Sequence, residues 1–152
     1  MVYEFQLAGQ HVRLWQRTGE SYTHILLKAL GYAMFAPRFS GLAIEQRVGL
    51  RYKPDLVARA ADGRFLFWGE CGMNALRKTV WLLKHAGVEQ LVLFKLERNT
   101  TRLTDQLRAA IAPRYRPPHR LTLVNFVPDI VNLTAQREIA ALPPDWYTQY
   151  AI

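Results

Sequence analysis

The chain has 152 residues, half of them apolar and 21% charged, enough for one domain, residues 1–152, with a substantial core. Its 20 Lys and Arg against 12 Asp and Glu leave a formal charge of +8, which favours a polyanionic partner, DNA or RNA first. The apolar runs are too short to span a bilayer, no basic-then-apolar leader opens the chain, and its one cysteine, Cys71, excludes an intrachain disulfide and a cysteine-based zinc site, so a cytoplasmic protein with no membrane contact is expected.

Residues 2–7 and 11–16 alternate around "AGQ" and predict an opening hairpin. In 20–36, Leu26, Leu30 and Ala33 recur at helical spacing and Pro37 stops the run, which predicts a helix. Residues 42–49 alternate as a strand. Residues 55–60 and 64–71 predict two more strands around Asp62-Gly63, a dipeptide suited to a two-residue type I′ turn. A helix is expected over 74–87, with Asn74 as its N-cap and Gly87 as its stop. A strand over 91–96, a helix over 101–112, a strand over 121–127 and a last helix over 134–142 complete the pattern. Pro128-Asp129 reads as a strand-to-helix turn. Strands alternating with helices in the second half imply parallel pairing, and the three-strand run before them implies antiparallel pairing. The fold class is therefore α/β: a mixed sheet flanked by helices, with an N-terminal β-hairpin. No repeat or low-complexity tract interrupts it.

The hairpin at 55–71 carries the chemistry. With Asp62-Gly63 as the turn, Ala61 pairs with Arg64, and every later pair places Asp55 directly across from Glu70. Opposed residues share a sheet face with Cβ atoms ~4.5–5.5 Å apart. Two carboxylates so placed repel and need a compensating partner. A divalent cation, a shared proton, or a nearby Lys or Arg each answers that need. A bulge or a three-residue turn shifts the register and breaks the pairing. The bland alternative is a Pro-Asp turn at one end and a salt-bridged Glu at the other.

A helix bearing an acid, a strand, "PD" on one strand, an acid ending the next and then a helix resemble the PD-(D/E)xK nuclease superfamily. The segments "GESYTHILLKALGYAMF" (19–35), "KPDLVARAADGRFLFWGECG" (53–72) and "QLVLFKL" (90–96) are more particularly similar to the YaeQ-like proteins of that superfamily, over most of the chain. The resemblance implies a restriction-endonuclease-like three-layer core. It implies that Asp55 and Glu70 bind Mg²⁺ (or Mn²⁺), and that Glu20, on the first core helix, completes the metal shell. It also asks for a lysine at position 72, where this chain has Gly72. Lys78, on the following helix, is the replacement expected, with Arg77 as runner-up, and both are candidate nucleic-acid contacts.

A cation held by Asp55 and Glu70 polarises a phosphodiester and lowers the pKa of its bound water, while Lys78 positions that water or meets charge on phosphorus. Each residue also has a plainer explanation. Glu20 favours a helix dipole, Lys78 is an ordinary solvated charge, His24 an ordinary surface histidine, and Cys71 a buried apolar side chain facing away from Glu70. Trp68 shares the Glu70 face and either packs in the core or walls the site. The expected function is a metal-dependent nuclease-like protein, weakened or inactive because Gly72 replaces the lysine. The alternatives are a non-catalytic module that binds nucleic acid or protein on the same fold, and a scaffold with no nucleic-acid role.

Overall fold

A computed structural model describes residues 1–73 and 75–152. Strands β1 (Val2–Leu7) and β2 (Gln10–Trp15) form the expected hairpin. Ala8 and Gly9 both take positive φ, 49° and 79°, which is what a type I′ connection demands. Helix α1 (Tyr22–Phe35) follows, with Ser21 as N-cap accepting from the His24 amide. It is buried nearly all round, including Ile25, Leu26, Leu27, Ala29, Leu30 and Ala33, because the small hairpin sheet covers its outer side and the main sheet its inner side.

The main sheet has the order β3 (Ala43–Ile44), β4 (Leu56–Arg59), β5 (Phe65–Cys71), β6 (Leu91–Lys95), β7 (Leu121–Phe126) and β9 (Tyr147–Ala151). Pairing is antiparallel from β3 to β5, parallel from β5 through β7, and antiparallel again at β9. Helices α2 (Leu76–His85) and α3 (Thr100–Ala110) cover the face opposite α1, burying Leu82, Leu83 and Leu107 against Trp68, Leu91, Leu93 and Leu123. The core is thus three layers, α1 on the mixed sheet on α2 and α3. No helix among the described residues is long and apolar enough to cross a membrane.

Four expectations need correction. The strand expected over 42–49 is two residues long, because Glu45 turns left-handed (φ 54°) immediately after it. The helix expected over 134–142 does not form. A short α4 (Ile130–Leu133) follows Pro128-Asp129, and β8 (Glu138–Ile139) then adds in parallel to β1, burying Ile139. Strand β9 has no counterpart in the expected pattern, because Thr148, Gln149 and Ala151 are exposed and leave no periodicity to reveal it. Finally α2 begins at Leu76 with Ala75 at its N-cap, and Asn74, the expected cap, lies outside the described residues.

Candidate functional site: two carboxylates at the carboxyl end of the parallel strands

The β4–β5 hairpin reaches the expected register by an unexpected route. Its loop has three residues, with Ala60 paired to Arg64 and Gly63 at φ 90°. That alone shifts the pairing by one. A bulge then skips Leu66, since Arg59 pairs with Phe65 but Ala58 with Phe67, and restores it. Val57 therefore faces Trp68 and Leu56 faces Gly69, and the same register continued by one residue sets Asp55 opposite Glu70. The bulge also explains why Phe65 joins Trp68 (ring centroids 5.3 Å apart) on the α2 face while Phe67 packs towards α1.

Asp55 stands just before β4, and Glu70 is next to last in β5, which runs antiparallel to β4 and parallel to β6. Both acids therefore lie at the carboxyl end of the parallel strands β5 and β6, where open α/β sheets bind ligands. Glu70 is only 2% exposed. Its Oε1 accepts from Trp68 Nε1 at 3.0 Å and from Lys78 Nζ at 2.8 Å. Burial and the neighbouring Asp55 charge nevertheless push the Glu70 carboxyl up to about 7, against the opposing pull of Lys78 and Trp68. Trp68 is thus both a core residue and a wall of the site. Asp55 goes the other way. Burial opposes its ionisation, but His24 and the Cys71 amide, 2.8 Å from Oδ2, hold it below the usual carboxylate range. Cys71 is buried on the α1 side, as alternation predicts.

Glu20 does not lie on α1; it precedes the Ser21 cap. Its carboxylate accepts from the Arg17 amide at 3.0 Å and from Lys28 Nζ at 2.5 Å. His24, one turn into α1, places Nε2 3.5 Å from both Glu20 Oε1 and Asp55 Oδ1, and so links the two acids. Lys78 stands over the site from α2 and also over the Tyr52 ring, while Arg77 is exposed beside it. Position 72 has a physical reason to be glycine. Its φ is 74°, and a Cβ there would lie 3.3 Å from His24 Nδ1. The imidazole fills part of the space that a residue-72 side chain would use.

Three charged residues at the site escaped the sequence reading. Lys28, 1% exposed, bridges Glu20 and Glu45, the latter at 2.7 Å. Burial opposes its charge, but the two carboxylates outweigh that and raise the ammonium's pKa. Glu45 reaches Lys28 from its left-handed backbone, and its amide donates to the Asp55 carbonyl. Lys95, 5% exposed, donates to the Gly72 carbonyl from the end of β6. The available signal was one charge inside an apolar run, "ILLKALG" for Lys28 and "LVLFKL" for Lys95.

Two solved structures settle the fold. A YaeQ protein from Xanthomonas axonopodis pv. citri superposes with a TM-score of 0.65, at 19% identity, over 90% of this chain and 80% of that one. The fold is that of the YaeQ proteins. A second, from Pseudomonas syringae, gives 0.63 at 17% identity, over 90% and 79%. No protein-family model and no curated protein matches the sequence. In this YaeQ-like fold, no three His, Cys, Asp or Glu side chains among the described residues are grouped to hold a metal ion. The oxygen donors brought together are the Asp55 and Glu70 carboxylates, with Lys28 and Lys78 offsetting the charge around them and His24 lying between Asp55 and Glu20.

Proposed function

We propose that this chain is a YaeQ-like member of the PD-(D/E)xK superfamily and a Mg²⁺- or Mn²⁺-dependent phosphodiesterase acting on nucleic acid. The observation that supports this most is the opposed pair itself. Glu70 is held near neutrality beside an ionised Asp55, in a buried position at a ligand-binding sheet end. Such a pair loses its mutual repulsion when a hard dication replaces the proton. Two carboxylates, with water filling the remaining positions, suit Mg²⁺, which dehydrates reluctantly and needs few protein ligands. Bound there, the cation supplies Lewis acidity and a water of lowered pKa.

The chain's own residues have separable tasks. Asp55 and Glu70 are the metal ligands. His24, steadied by Glu20, orients Asp55; Glu20, already held by Lys28 and Arg17, acts at one remove from the metal. Lys78 offsets the charge of Glu70 and, with Arg77 beside it on α2, would be the cation nearest a phosphate held at the site.

The test is hydrolysis of single- and double-stranded DNA and RNA with Mg²⁺ or Mn²⁺. Cleavage is expected to vanish in chelator and in Glu70→Ala and Asp55→Asn. Cleavage surviving Glu70→Ala contradicts the proposal. The charge of +8 favours a second reading, a non-catalytic nucleic-acid-binding module. That reading is indicated if binding persists in chelator, falls steeply with salt and is never accompanied by cleavage.

A further inference from the structure

We propose that the outer surface of α2 is a track for single-stranded nucleic acid, on which Trp81 and Tyr52 stack bases next to the Asp55–Glu70 centre. The inference rests on the reading of that centre as a phosphodiesterase site, and it names the class of substrate, a single strand in preference to a duplex.

The track begins with helical spacing. Lys78, Trp81 and Lys84 follow one another at steps of three residues and form one ridge across α2. Thr79, Leu82 and Leu83 take the buried side of the helix, which leaves Trp81 half-buried at the edge of the core. The Tyr52 ring meets Trp81 edge to face from the segment between β3 and β4, with centroids 5.4 Å apart. Lys78 joins this pair to the carboxylates: its Nζ is 2.8 Å from Glu70 Oε1 and 5.2 Å from the Tyr52 centroid. At the other end of the helix Lys84 lies over the half-buried Tyr115, 5.3 Å from its centroid. Rings and cations thus alternate from Glu70 to Tyr115.

The charge around this ridge is of one sign. The segments that build it, 46–54, 71–88 and 106–128, hold half of the chain's 20 Lys and Arg and no Asp or Glu. Such a surface suits a polyanion, and the rings decide which one. Every base has a π face that stacks on an aromatic side chain, and a positively charged groove with such rings is how single strands are held without regard to sequence. A duplex keeps its base faces stacked on one another, and an acidic peptide engages the cations alone. The ring faces are open to such a ligand, since Arg51 already lies 5.7 Å over Tyr52 and Arg114 4.8 Å over Tyr115. A base that replaces a guanidinium on its ring leaves that cation to meet the adjoining phosphate.

The test is fluorescence anisotropy in chelator, with a labelled mixed-sequence oligodeoxynucleotide, alone and annealed to its complement. Single-strand binding is expected to weaken by roughly tenfold in Trp81→Ala, the loss of one stacked base. Trp81→Leu, which keeps apolar packing without a ring, should lose as much, and Trp81→Phe should retain most of the binding. Trp15→Ala, on the distant hairpin sheet, should bind as wild type does. Lys84→Gln should lower the slope of log affinity against log salt by about 0.7, one phosphate contact on a single strand. Wild-type protein that binds the duplex more tightly than the single strand, or that releases the strand equally well to polyglutamate, overturns the proposal. So does a Trp81→Leu variant with undiminished affinity, even if metal-dependent cleavage is observed and the proposed hydrolysis stands. Trp81-dependent binding without any metal-dependent cleavage leaves the track standing and overturns the hydrolysis.

Discussion

Glu70 shows how placement sets a side chain's chemistry. An exposed glutamate ionises near 4.5; here burial and Asp55 move the carboxyl up to about 7. The folded state therefore binds a proton that the unfolded chain has released, between pH 4.5 and 7. Stability must fall as pH rises through that window, because the native state is the one holding the extra proton. Asp55 and Glu20 are lowered instead, so their contribution is lost only on acidification below the usual carboxylate range, outside this window. Glu70→Gln removes the titration while keeping the shape. Urea unfolding at pH 5 and pH 8 should show wild type losing on the order of 2–3 kcal/mol more than Glu70→Gln across that interval. Equal losses in the two proteins contradict the assignment of the shifted group. Lys28 supplies a second residue-scale point. It was invisible as a site residue because helical periodicity counts a lone lysine as a solvated exception, whereas its partners Glu20 and Glu45 lie 8 and 17 positions away.

At the scale of elements, helix α1 sits close on the main sheet because two facing positions lack side chains. A Cβ at Gly31 would fall 2.7 Å from Leu56 Cδ1 and 3.0 Å from the Phe94 ring, and one at Gly69 would meet the same two residues. Gly31→Ala gains about 1 kcal/mol of helix propensity but overpacks this contact, at a cost of roughly 1–3 kcal/mol. A net loss of about 1 kcal/mol is expected in the denaturation midpoint at unchanged m-value; a stabilised variant contradicts the close packing. The hairpin shows what periodicity could and could not reveal. The Asp55–Glu70 register was legible because Asp62-Gly63 marks the turn and apolar residues flank it. The path was not, since a three-residue loop and a bulge at Leu66 each shift the pairing and cancel. Elements held by few local signals leave no readable pattern. Glu138-Ile139 joins β1 through contacts with residues more than 130 positions away, which no local pattern encodes.

For the whole molecule, the alternation of strands and helices was enough to give the α/β class and the parallel centre of the sheet, because each element's period is written in its own residues. What it could not supply was which side chains converge at the sheet's end. Lys95 meets Gly72, and Glu45 meets Lys28, only through the strand order and the return of the chain after β3. The resulting centre has two carboxylates opposed at the carboxyl end of β5, cations arrayed around them and a groove alongside. The measurement that tests its central claim most directly is a crystal structure of the full chain soaked in Mn²⁺. The account predicts an anomalous peak between Asp55 and Glu70, with Lys78 displaced from Glu70. Saturating Mn²⁺ that leaves no peak there, with Lys78 still on Glu70, contradicts it.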